Sequence, residues 1–207
     1  MSPAAAKKVE QVRSIGDYTS PIKEVPVENL SEKIKDIPVV RDLPDFSNQI
    51  NSPTAKIFRQ EVIVPGYTYG MSTDPALMLK FSTGKGLPGE KEIDCSGAVC
   101  KVLKQKGIDR GDPTIGNNAQ KFHNDSRPVK VGYEQDGDLI TFKVNGDTID
   151  HIGFLVIDQD TGEKFIAESA RSFNQGRIVP FKQRIQFLDA VSRKERGKPL
   201  EYSIRRL

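Results

Sequence analysis

The chain has no tryptophan, two cysteines and two histidines in 207 residues. So small and scattered a set of thiol and imidazole groups excludes a structural zinc site, and no metal or cofactor is implied. No apolar run approaches the roughly 18 residues needed to span a bilayer. The start, Met1-Ser-Pro-Ala-Ala-Ala-Lys-Lys, carries lysines with no apolar stretch behind them. Membrane insertion and ordinary signal-peptide export are therefore disfavoured. Cys95 and Cys100 lie five apart in what reads as one helix, where their side chains diverge and a disulfide is geometrically poor, so each thiol needs its own role. Apolar residues are also few, 36% of the chain against 29% charged, with mean hydropathy −0.49. This length allows one domain of ordinary size plus an arm, or two very small domains, with part of the chain outside any core.

Charge and proline are unevenly placed. The net charge of +3 combines +1 over residues 1–60, −3 over 61–181 and +5 over 182–207. The basic end, with Arg193-Lys-Glu-Arg and Arg205-Arg206, lacks the interleaved aromatics and glycine-rich phosphate loop of a nucleic-acid reader. Nucleic acid is disfavoured as a partner, and a solvated or partner-facing tail is expected. Six of the 13 prolines (Pro3, Pro21, Pro26, Pro38, Pro44, Pro53) fall in the first 60 residues, so few segments between them are long enough for a stable helix, and Val27 to Ile37 reads as a short helical window. The rest of that stretch, with single apolar residues such as Ile22, Val39, Val40, Leu43 and Phe46, has the composition of an arm that docks on a partner or wraps over its own domain. The expected organisation is an extended arm over 1–60, a compact domain over 61–181 and a basic segment over 182–207.

Within the compact part, Ala98, Val99, Val102 and Leu103 recur at helical spacing while Lys101, Lys104 and Lys106 take other faces, and Gly107 closes the helix. Cys95 lies at its first turn, where the helix dipole and free amides favour thiolate over thiol. Cys100, inside the helix, reads as a small core residue. Strand patterns follow from Gly137, Asp150, Lys164 and Arg177, joined by Asn145-Gly, Asp160-Thr-Gly and Asn174-Gln-Gly turns. A helix followed by such an antiparallel meander makes an α+β fold. Nucleophilic cysteine chemistry needs a base, and the base needs a polar group that fixes its tautomer. In chain order the candidates are Cys95, His151 at the start of the second strand, and Glu168 or Ser169 on the next. His123 falls in a polar loop.

Asp94-Cys95-Ser96-Gly97 opening a helix, then Gly137-Asp138-Leu139 with Phe142 three residues on, then His151-Ile152-Gly153-Phe154 resemble the NlpC-type cysteine peptidases of bacterial cell walls. There the pattern is Asp-Cys-Ser-Gly, Gly-Asp-Leu and His-Val-Gly-Ile in the same order. Tyr67-Thr-Tyr-Gly resembles that family's element before the cysteine, and Pro113-Thr to Gln120 its loop after the catalytic helix. The resemblance covers about Gly66 to Phe181. It implies a papain-like domain whose N-terminal helix bears the cysteine and packs on an antiparallel sheet. It also implies Cys95 as nucleophile, with its backbone amide aiding the oxyanion, His151 as base and later acid, and the Tyr67 hydroxyl near the acyl oxygen. Asp94 would be a cap or binding residue. The family's third residue is usually a histidine, and an ungapped reading puts Ala167 there; a one-residue shift brings Glu168 into the role, with Ser169 on the face of Ala167. An insertion over 74–93 lies beside the presumed cleft, as a lid or substrate wall.

The resemblance implies hydrolysis of amide bonds in peptidoglycan stem peptides, typically next to D-glutamate. Such a substrate lies outside the cytoplasm, so delivery by another route is expected: in a bacteriophage virion, fastened to the tail through the N-terminal arm, or by a secretion apparatus. Two rival readings are a plug or adaptor of a virion tail that retains the peptidase fold, and an amidase or acyltransferase of a related papain-like group.

Overall fold

The structure is a computed structural model that describes residues 43–70, 92–110 and 118–207. The helical window at 27–37, most of the 74–93 insertion and the start of the Pro113 loop lie outside those residues.

The described chain forms a mixed α/β domain around an eight-stranded sheet. Helix α1 (Pro53–Phe58) continues into a π-helical turn (Arg59–Ile63), and two-residue strands β1 (Thr68–Tyr69) and β2 (Glu92–Ile93) precede helix α2 (Cys95–Gln105). Helix α3 (Ala119–Asp125) and the short β3 (Arg127–Pro128) lead to β4 (Leu139–Lys143), β5 (His151–Ile157), β6 (Lys164–Ala170) and β7 (Gln175–Pro180). Helix α4 (Phe181–Arg196) and strand β8 (Glu201–Arg206) complete the described chain. The strand order is β2-β1-β7-β6-β5-β4-β8-β3; β1 and β2 are parallel and every other pair is antiparallel.

Alternation along the central strands sorts side chains onto two faces. On one, Ile152, Phe154, Val156, Phe165, Ala167 and Ile178 pack with α1, the π-helical turn and α2. On the other, Ile140, Phe142, Ile166 and Val179 pack with Leu188 of α4 and with Leu200. Helix α2 contacts β5 and β6, and α4 contacts β6 and β7.

Two expected boundaries change. The arm placed over 1–60 is packed from Leu43 onward: Leu43, Ala55 and Phe58 are core residues. Pro53, counted there as a helix breaker, sits at the start of α1 behind Ser52, whose hydroxyl accepts from the Ala55 amide at 3.0 Å. Proline is tolerated there because the first helical amide needs no partner. Asp136 then ties α1 to the sheet, accepting from Ser52 Oγ at 2.7 Å, from the Thr54 amide at 3.1 Å and from the Ile157 amide at 3.0 Å. The basic segment 182–207, expected as a tail, supplies most of α4 and all of β8, which pairs with β4 from Leu139 to Lys143. Several of its cations are paired within the domain: Arg206 grips Asp138 through Nε at 2.7 Å and Nη2 at 2.8 Å, and Arg196 Nη2 meets Glu201 at 2.8 Å.

Candidate active site

Strand β2 runs straight into Asp94, which has extended backbone and caps α2. Its Oδ1 accepts from the Gly97 amide at 2.6 Å and from Ser96 Oγ at 2.9 Å. The cap places Cys95 at the first helical position, 7% exposed. The backbone amides of Ile152 and Ser96 hydrogen-bond to its sulfur and favour thiolate, but burial and then the Asp94 carboxylate outweigh them and push the thiol above its ordinary range. The helix start supplies the amides that favour thiolate, as expected, but burial opposes them and decides the sign. Neither cysteine is in a disulfide, and Cys100 is buried inside α2.

His151 opens β5 and stacks on Phe142 of β4, ring centroids 5.6 Å apart at 27°. Its Nε2 pairs with Oε2 of Glu168 on β6. Glu168 is 1% exposed, and its other oxygen, Oε1, forms an ion pair with Nε of Arg184 on α4. Burial alone pushes the Glu168 carboxyl up. The Arg184 charge and the contact with His151 overcome it and hold the carboxyl down at about 2. Pairing of β5 with β6 runs from Ile157↔Lys164 only as far as Phe154↔Ala167. At this end of the pair His151 and Glu168 meet by side chains, and the Ile152 amide reaches Cys95. Gly153 is required by the close approach of the strands: a Cβ there would lie 2.8 Å from the Ala167 carbonyl oxygen and 3.2 Å from Glu168 Cβ.

The structure thus brings His151 and Glu168 into contact and sets Cys95 against the peptide that follows His151. Ala167 packs into the α2-side core, while Ser169 donates from Oγ to the Ile93 carbonyl at 3.2 Å. Tyr67 lies on the turn before β1 with Lys101 Nζ 4.9 Å from its ring centroid. A second tyrosine, Tyr69, lies on β1 next to the strand that leads into Cys95. It pairs with Ile93 across β1 and β2, and burial followed by the charges of Cys95 and Asp94 pushes its hydroxyl well above the ordinary range. His123 sits on α3, with Nδ1 at 2.9 Å from Thr141 Oγ1. Gly137 holds φ of +90° beneath Lys106, a left-handed conformation that suits glycine, and Asp138 fastens β8 through Arg206. The glycine-aspartate motif is therefore structural here. Arg184 is the residue that sequence reasoning missed. Its signal was a charge sharing one helical stripe with Leu188 and Ser192, spaced four apart. Among the described residues no group of three or more His, Cys, Asp or Glu side chains could hold a metal ion, and no helix is long and apolar enough to cross a membrane.

A buried thiol at a helix start, with a histidine bound to a carboxylate on the neighbouring strands, is the arrangement of groups that a thiol hydrolase requires. The profile of the NlpC/P60 family matches residues 67–185, more than half of the 207 residues, and the chain belongs to that family. Its members are generally cysteine peptidases, and membership points to peptidoglycan as the substrate. No curated protein matches the chain.

Proposed function

We propose that the protein is a papain-like cysteine endopeptidase that hydrolyses amide bonds in peptidoglycan stem peptides, with Cys95 as nucleophile, His151 as base and acid, and Glu168 as the orienting carboxylate. The observation that carries this reading is Glu168 on Nε2 of His151, next to the peptide whose amide holds the Cys95 sulfur. With Nε2 engaged, Nδ1 is the ring nitrogen left for the thiol. His151 takes the Cys95 proton as Sγ attacks the substrate carbonyl; the C–N bond breaks and the amine leaves with that proton, giving a thioester. Water then attacks the thioester, giving a proton to His151, and the acid leaves as the proton returns to Cys95. The Cys95 backbone amide, at the first position of α2 where helical amides lack internal partners, stabilises the oxyanion. Tyr69 takes the role beside the acyl oxygen that the resemblance assigned to Tyr67.

A carboxylate bound to the imidazole favours catalysis over a purely structural plug or adaptor. The proline-spaced composition of residues 1–42 supports carriage by an assembly, a phage tail in a virion or a secretion apparatus. Incubating the protein with purified muropeptides and identifying products by mass tests the activity: cleavage that survives Cys95→Ala would refute the reading.

A further inference from the structure

Arg184 comes from the segment whose charge pattern suggested a tail, yet it is 2% exposed and lies directly behind the carboxylate that holds His151. Its guanidinium carbon is 4.7 Å from the Phe173 ring centroid and 5.2 Å from that of Phe187, so two aromatic faces fix its plane. Its Nη1 makes no hydrogen bond among the described residues, so burial is only partly compensated. Buried ion pairs of this kind are often replaceable by apolar residues without loss of stability, and stability is therefore a weak reason for a charge at this position.

We propose that Arg184 is a positioning residue for the reaction: by neutralising Glu168 from behind, it limits how tightly that carboxylate holds the proton on His151 and keeps the imidazole effective as a base. The proposal rests on the reading of His151 as the base. A buried carboxylate with one cationic neighbour divides its field between that neighbour and the imidazole. Without Arg184, the whole charge of Glu168 favours the imidazolium, and the ring keeps its proton to higher pH. The other titratable and charged groups around the cluster are Cys95 and Asp94 at the start of α2, Tyr69 on β1, Arg171 after β6, Arg177 on β7 and Tyr202 on β8. Tyr202 is separated from the imidazole by Phe142, whose ring lies 6.3 Å from Tyr202 and 5.6 Å from His151. Arg177 is the cross-strand partner of Glu168, but its guanidinium turns to the Phe173 ring at 5.2 Å and to the Leu43 carbonyl at 3.4 Å. Arg184 is therefore the cation that matters to Glu168.

The chain has two histidines, so NMR titration of the imidazole resonances resolves both, with His123 as internal reference. In Arg184→Met the His151 titration moves up by about one pH unit, and kcat/KM near neutrality falls roughly tenfold with it; Arg184→Lys restores most of the shift, and Arg177→Met leaves it unmoved. If Arg184→Met fails to fold, Arg184→Gln provides the same test; in either case the shift on removing Arg184 is smaller in a Glu168→Gln background, where only the direct repulsion between guanidinium and imidazolium is left. An unmoved His151 in the folded Arg184 variant, an equal shift in Arg177→Met, or an undiminished shift in the Glu168→Gln background overturns the proposal. Because this readout needs no substrate, its failure is separable from failure of the peptidase reading, which Cys95→Ala decides.

Discussion

Substituting alanine for Gly153 tests the geometry at the heart of the site. The added methyl would stand 2.8 Å from the Ala167 carbonyl oxygen, 3.2 Å from Glu168 Cβ and 3.4 Å from Ile166 Cγ2. The first contact cannot be relieved by a rotamer change, because the obstacle is backbone at the last paired position of β5 and β6. Overpacking of this kind costs about 1–3 kcal/mol, which in a domain of this size lowers Tm by about 3–10 °C. Relief comes from moving β6 away from β5, and that carries Glu168 away from the imidazole. A displacement near 1 Å in a catalytic group can lose on the order of 100-fold in rate, so kcat falls by roughly ten- to a hundredfold while KM changes little. Scanning calorimetry and muropeptide hydrolysis followed by mass read the two effects. Gly146→Ala is the control, since the nearest atom to a Cβ there is the Thr148 amide nitrogen at 3.9 Å. A Gly153→Ala protein with unchanged Tm and unchanged kcat would refute the claim that the strands close on each other at this point.

Three further outcomes are expected. Glu168, held at about 2 against an ordinary 4.5, stays ionised in the folded protein at pH values where the unfolded chain already binds the proton. Its contribution to stability is therefore full above about pH 4.5 and is lost as the pH falls toward 2, and denaturant melts across that window decline less steeply in Glu168→Gln. Tyr69→Phe lowers kcat roughly tenfold and Tyr67→Phe changes it less than about twofold; steady-state kinetics with the reverse order would remove Tyr69 from the site. Truncation after Gly197 deletes β8 and uncovers the edge of β4, so the protein self-associates, which light scattering detects; a monodisperse truncated protein would contradict the paired register.

The parts legible in the sequence are those where one local rule acts alone. The stripe of Ala98, Val99, Val102 and Leu103 and the closing Gly107 define α2 almost to the residue, and the turn-bounded apolar runs define β4 to β7. Glu168 was within reach because a one-residue shift on a strand exchanges faces, leaving only Ala167 and Ser169 as rivals. The C-terminal segment was misread because its charge count hides a helix with an apolar stripe and a strand whose arginines find partners in Asp138 and Ser126. Those partners lie about 70 to 80 positions away in sequence, and no local pattern shows them. The choice between Tyr67 and Tyr69 likewise depends on β1 pairing with β2, a long-range register. The raised Cys95 thiol depends on burial by β5, which a helix-start rule does not include.

The parallel pairing of Thr68 with Glu92 and of Tyr69 with Ile93 has a consequence for how such an enzyme diversifies. Both ends of the intervening sequence are anchored in one ladder, reinforced by the Gly70 amide on the Ile93 carbonyl at 3.3 Å, immediately before Cys95. The closure entropy of such a stretch grows only by about 0.6 kcal/mol for each doubling of its length. Its length and composition can therefore drift, or be randomised in a library, while the residues that flank the nucleophile stay in register. The ladder that precedes the nucleophile position is thereby insulated from change in the sequence between its two strands.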